Sequence, residues 1–288
     1  MTVGSFLEQL GIRPYTVYRI FKYSIYALLS YNVVLFFQDD HLAAAEIFGD
    51  AVTWRNVVEA YSATIDTLAW VILLLLFELE TAVIPDYKLT GYRKWLPVSI
   101  RTLCYFFIIY AFYGYWVKYG LVTDLTAFSV TNVCSLVGFG FTYVAGLDEY
   151  LPLDATACAA MQGQPLFQIA GTQIIGTAAA LDAAIKLAIV DVVNAGDWLL
   201  VVVLLEVEVY LQLRNLLTDR LLVIMKVLKG MLYLVLFGAA VYWGLKGDFL
   251  DFWDAFLWLV AFIFIEMNIF EWHEETRETL PEGAIATR

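Results

Sequence analysis

Histidine is nearly missing from this sequence: His41 and His273 are the only two in 288 residues. Neither falls inside a long apolar run, so haem held between helix-borne histidines is excluded and a histidine-rich metal site has no ligands to draw on. Charge is scarce as well. Charged side chains make up 16% of the chain and hydrophobic ones 61%, whereas a soluble domain carries about 25% and about 45–50%. A water-soluble core cannot hide that much apolar surface. Enzyme signatures are absent: there is no HExxH, no GxSxG, no phosphate loop and no dinucleotide fingerprint. No apolar run carries arginine at every third position, as a voltage sensor does, and the last run has no lysine to hold retinal. Haem, retinal, nucleotide and metal cofactors are therefore not expected.

Cysteine is sparse. Cys104 and Cys134 fall in apolar segments and Cys158 in a loop, so no paired disulfide framework is readable and nothing demands an oxidising compartment. The net charge of −12 comes from acids collected at Asp39-Asp40, at Asp148-Glu149 and at 271–278. That distribution makes a nucleic-acid partner unexpected.

What the chain does contain is apolar runs long enough to cross a hydrocarbon core of about 30 Å as helices. They lie near 16–38, 61–84, 96–118, 125–146, 166–190, 197–213, 221–246 and 252–270. The expected fold is all-α, a polytopic transmembrane bundle of about eight helices in contact with the lipid bilayer. The fifth run ends in Asp182, Lys186 and Asp191 and has the alternative of an amphipathic helix outside the membrane. Asp182 and Lys186, four apart, read as a mutually paired surface couple. Residues 1–15 read as an interfacial segment, and no cleavage site follows the first run, which reads as a retained helix. Lysine and arginine gather at Arg13, Arg19 and Lys22, at Lys88, Arg93 and Lys94, and at Arg214 and Arg220. With eight spans these share one face, the cytoplasmic one, together with both termini. The loop 147–165 fits poorly, because it belongs on that face yet carries acids and no base. Short loops favour a bacterial inner membrane.

An offset of 128 residues aligns the sequence with itself. Trp70 meets Trp198, Glu78 meets Glu206, Glu80 meets Glu208, Arg101 meets Lys229, Tyr105 meets Tyr233 and Lys118 meets Lys246, without a gap. This reads as two tandem four-helix units, 16–146 and 166–270, joined by the loop 147–165 and related by an axis along the membrane normal. An insertion at 39–60 interrupts the first unit. Its amphipathic part, 50–63, reads as a helix on the outer surface. An acidic tail, 271–288, closes the chain.

Four carboxylates, Glu78, Glu80, Glu206 and Glu208, lie at the ends of these runs. A charged carboxylate at mid-membrane costs about 2.5–3.5 kcal/mol and needs a cation, a proton or water. One reading makes them a duplicated proton or cation site, with Glu266 added asymmetrically opposite Gly138. The other makes them structural ion pairs, Glu80 with Arg101 and Glu208 with Arg214 or Lys229. The run 125–146 is unusually polar, and Ser129, Asn132, Ser135 and Thr142 read as a lining along a helix, for packing or for a wet path. Asp66 reads as an interfacial charge. Tyr105 and Tyr110 sit deep enough that they could hydrogen-bond the glutamates. Three functions stay open: ion-coupled transport or conduction; a non-catalytic subunit or scaffold with other membrane subunits or copies of itself as partners; and an enzyme acting on lipid.

Overall fold

The computed structural model describes residues 14–48, 52–53, 56–80, 95–147, 149–214, 216 and 218–278, with side chains in the last helix up to Phe264. Helices form where the apolar runs are. In chain order they are α1 (Pro14–Phe48), a single turn α2 (Val57–Ala60), α3 (Ser62–Glu78) and α4 (Trp95–Thr123). After a strand-bearing segment come α6 (Ala178–Leu213), α7 (Asp219–Lys246) and α8 (Phe249–Glu278). Four stretches, Thr16–Ala45, Trp95–Thr123, Ala178–Glu208 and Arg220–Lys246, are long and apolar enough to cross a membrane and suggest a membrane protein. At 36 residues α6 runs about 54 Å, longer than a single crossing of a hydrocarbon core of about 30 Å requires.

The six long helices close into a ring. α1 packs on α3, α3 on α4, α4 on α6, α6 on α7, α7 on α8, and α8 returns to α1. Its interior holds Leu29, Trp70, Leu74, Ile108, Trp198, Val201, Leu236, Leu257 and Ala261, all buried. The outward faces are also apolar: Phe106 and Ile109 on α4, Val203 on α6, and Leu234 and Phe237 on α7 are exposed, Leu234 to 70%. Helices apolar on both faces suit lipid outside and packing inside.

Local chemistry sets several helix ends. Thr64 donates to Asp40 from its backbone N–H (2.8 Å) and its hydroxyl (2.6 Å), so a carboxylate on α1 satisfies a free amide in the first turn of α3. α7 ends on Gly247 in the left-handed conformation (φ 90°), where the amides of Gly247 and Asp248 both reach the Trp243 carbonyl. Glycine takes that conformation without a Cβ clash, which turns the chain straight into α8.

Between α4 and α6 the structure departs from the eight-helix expectation. Residues 125–146 form no membrane helix. They give β1 (Leu125–Phe128), a 3-10 turn (Val133–Leu136) and β2 (Thr142–Gly146), followed by β3 (Glu149–Pro152), α5 (Ala155–Met161), β4 (Leu166–Ile169) and β5 (Ile174–Thr177). One sheet results, ordered β1-β4-β5-β2-β3, antiparallel except for the β2–β5 pair. The polar residues read as a helix lining do other work here. Asn132 accepts from the Cys134 amide, Ser135 donates to the Asn132 carbonyl, Thr142 is buried in β2 and Ser129 follows β1. Gly138 and Gly140 have φ of 84° and 78°, so the segment turns where a helix would run on.

The predicted run 166–190 likewise begins as two strands, and its remainder is continuous with the predicted sixth span in α6. The aligned units consequently differ in their last element, strands at 125–146 against helix at 252–270. A disulfide, Cys134–Cys158, ties the 3-10 turn to α5, against the sequence reading that no pairing was legible. At 50–63 the described residues form the turn α2 and the start of α3, with Val58 and Ala60 buried. Residues 1–13, the cationic 81–94 segment and the end of the acidic tail lie outside the described residues.

The disulfide closes a loop over a separation of 24 residues, which constrains the unfolded segment by about 3 kcal/mol. Replacing Cys134 and Cys158 by Ser should make residues 129–165 markedly more sensitive to limited proteolysis, while the helical melting transition stays in place. Unchanged proteolysis would mean that the sheet alone holds this region.

Candidate functional site

Two groups of polar side chains occupy opposite ends of the helix ring. At the end away from the sheet lie the glutamates singled out in the sequence. Glu78 receives Lys22 Nζ at 2.8 Å on each carboxylate oxygen, Tyr23 donates to it at 3.0 Å and Tyr26 at 3.5 Å. Both Lys22 and Glu78 are buried, and Lys22 lies within 6.0 Å of the Tyr18, Tyr23 and Tyr26 rings. Glu80 pairs with Arg101, Glu206 accepts from Tyr105 at 2.8 Å, and Glu208 pairs with Lys229 at 3.0 Å. Arg214 stacks on Tyr210, 5.6 Å from its centroid. Glu266 lies outside the described side chains.

The pairs follow a rule along the ring. Glu78 reaches back to α1 and Glu80 forward to α4. Glu206 reaches back to α4 and Glu208 forward to α7. Four successive helix seams are each closed by one carboxylate. Alternation by two positions, about 200° around a helix, is what sends neighbouring acids to opposite partners.

At the sheet end a cavity of about 490 Å³ opens among α1, α3, α4, α6, α7, α8 and β3. Its lining repeats a motif on every second helix of the ring. On α3, Asp66 stands four residues before Trp70; on α6, Asn194 before Trp198; on α8, Asp254 before Trp258. Four residues is one helical turn, so each polar group sits directly over its indole. The three indoles touch, with centroids 5.9 Å (Trp70–Trp198), 6.2 Å (Trp70–Trp258) and 6.3 Å (Trp198–Trp258) apart. They floor the chamber and separate it from the glutamate clasps below. Trp70 Nε1 donates to Asp66 at 3.0 Å, Trp258 is hydrogen-bonded to Asp254, and Asn32 of α1, fully buried, donates to Asp254 at 2.7 Å.

Acids dominate the rest of the lining. Asp39 and Asp40 come from α1, Asp191 from α6 and Glu149 from β3, with Asp248 and Asp251 at the start of α8. Lys118 is the single cation among the lining residues. Among the described residues no three His, Cys, Asp or Glu side chains converge closely enough to hold a metal ion. The chamber is thus negative and aromatic, with its charge spread around the wall. Sequence reasoning passed over Asn194 and Asp254 and took Asp66 for an interfacial charge. The signal it missed is Asp/Asn-x-x-x-Trp, which the sequence carries five times; three of these line the chamber, and two of those three are related by the 128-residue offset.

Asp182 and Lys186 pair at 2.6 Å on the exposed face of α6, as their spacing predicts, and contribute little there. Comparison with known proteins adds no relative: no family model, curated protein or solved structure matches this chain.

Removing one member of a buried ion pair leaves its partner charged and unpaired, at a cost of about 3–5 kcal/mol. Lys22→Met should therefore lower the thermal stability of the detergent-solubilised protein sharply. Combining it with Glu78→Gln should recover part of the loss. A double variant no more stable than Lys22→Met alone would show that the pair is not coupled.

Proposed function

We propose that this protein is an integral membrane protein that takes up a cation in the acidic chamber and passes it across the membrane, as an ion-coupled transporter or an ion-conducting protein. The observation that carries the reading is the chamber itself: a cavity within a ring of helices, walled by carboxylates, closed by three indoles and followed by clasped acids. A negative cleft with low-dielectric walls concentrates cations at its mouth, and carboxylates kept inside helix bundles mark cation or proton routes. In this reading Glu78, Glu80, Glu206 and Glu208 form the inner closure, held by Lys22, Arg101, Tyr105 and Lys229. Their pairs must exchange for a cation to pass, and Glu266 and Arg214 border that same end.

The disulfide supports placing the chamber on the oxidising side of a cell membrane. The lysines and arginines at the opposite end support placing that end, with both termini, in the cytoplasm. The acidic loop 147–165 then belongs outside, which removes the misfit that eight spans create. A bacterial inner membrane is the proposed location.

A second reading, a non-catalytic subunit of a membrane complex, is favoured by one observation: each described far-end glutamate already has a partner. The two readings separate by charge movement. Proteoliposomes adsorbed on a sensor should give a transient current when jumped into potassium, ammonium or choline chloride, and Asp254→Asn should cut it about tenfold, in line with losing a desolvated charge contact. No current from any of these salts, with stoichiometric proteins co-purifying from the native membrane, would turn the assignment to the subunit.

A further inference from the structure

We propose that the chamber binds an organic ammonium ion bearing a hydroxyl group, an amino alcohol rather than a bare inorganic cation. The inference rests on the cation-binding reading of the chamber and names its ligand. Three features set the chemistry. First, the charge is distributed: Asp66 and Asp254 stand over the floor and the other acids ring the wall, while among the described residues no three carboxylates converge into a compact metal-ion cage. Second, the floor is indole. Trp70, Trp198 and Trp258 form a contiguous aromatic patch one turn below those two acids, the arrangement that attracts ammonium groups through the ring faces.

Third, two polar atoms on uncharged side chains of the lining have no hydrogen-bond partner among the described residues. They are the Nε1 donor of Trp243, a residue only 4% exposed, and the Oδ1 acceptor of Asn194, an inaccessible atom on a half-buried residue. They lie on adjacent helices, α7 and α6. A buried donor and a buried acceptor left open in one chamber suit a group that both accepts and donates, which a hydroxyl does. A carboxylate on the ligand would satisfy the donor but face the acids of the wall, so a zwitterionic amino acid is disfavoured. The cavity, about 490 Å³, lies within the ordinary range for small-molecule sites.

The test is equilibrium binding of radiolabelled choline to the purified full-length protein by scintillation proximity. Tetramethylammonium, phosphocholine, potassium and magnesium serve as competitors. Choline should bind saturably, and neither potassium nor magnesium should displace it at equal concentration. Asp66→Asn and Asp254→Asn should each weaken it about tenfold through the lost charge-assisted contact. Trp243→Phe, which keeps the ring and removes the N–H, should weaken choline about three- to tenfold and leave tetramethylammonium unchanged. That variant keeps the test open should either carboxylate change fail to fold.

Absence of saturable choline binding, or displacement by potassium or magnesium, overturns the proposal. Phosphocholine competing as well as choline overturns the hydroxyl assignment in favour of a lipid headgroup. Binding without any current in proteoliposomes sustains the ligand assignment and removes only the transport reading.

Discussion

Contact among Trp70, Trp198 and Trp258 is the constraint on which the rest of the structure turns. Three of the six ring helices, alternating with the other three, place an indole at one level and close the interior there. Large rings bury extensive apolar area and lock together edge-to-face, which fixes helix rotation as well as spacing. Rotation at that level decides where every other interior side chain points. One turn towards the sheet, the same helix faces carry Asp66, Asn194 and Asp254. Two turns the other way, α3 and α6 carry Glu78 and Glu206.

The indole layer separates two treatments of charge. Away from the sheet each described glutamate is matched with a cation or a tyrosine on a neighbouring helix, the arrangement that makes an interior carboxylate tolerable. On the sheet side carboxylates outnumber cations in the lining by eight to one, and the cavity remains. Pairing can explain the first group as structure. In the second group hydrogen bonds take the place of cations: Asp40 accepts from Thr64, Asp66 from Trp70, and Asp254 from Asn32 and Trp258. The covalent tie in the sheet and the packing of β2 and β5 on α6 and of β3 on α1 brace the mouth of that space.

Much of this was legible in the sequence, for physical reasons that also mark where legibility stopped. Long apolar helices reveal themselves through length and hydropathy, so six of the eight expected runs fall on the six long helices. Glu80 with Arg101 was readable because helix rise puts residues of known spacing at known depth, and the same argument left Arg214 and Lys229 open for Glu208, which pairs with Lys229. The run 125–146 misled because Val, Phe, Tyr and Thr are apolar enough for lipid yet also suit strands, and because Gly138 and Gly140 make its turns without interrupting the apolar run. The disulfide was hidden by the same error, since a cysteine assigned to a membrane helix has no loop cysteine as its mate. The chamber was missed for another reason: its residues come from seven elements, and only the i, i+4 motif lies within one.

The asymmetry of that motif is itself informative. Offset by 128 residues, Asp66 becomes Asn194 while the indole below it is kept. Two helices therefore present a carboxylate that accepts from its own tryptophan, and the third presents a neutral amide with an open acceptor. A third carboxylate over the touching indoles would add a like charge to a confined space. An unsatisfied neutral acceptor costs only about 1–3 kcal/mol, less than an unpaired buried charge. The substitution relieves repulsion at the floor and leaves one group whose hydrogen bond the folded chain does not supply. The described far-end glutamates are all partnered, whereas that acceptor and the Trp243 donor stay open in the same chamber, which is what the proposed hydroxyl-bearing ligand would require.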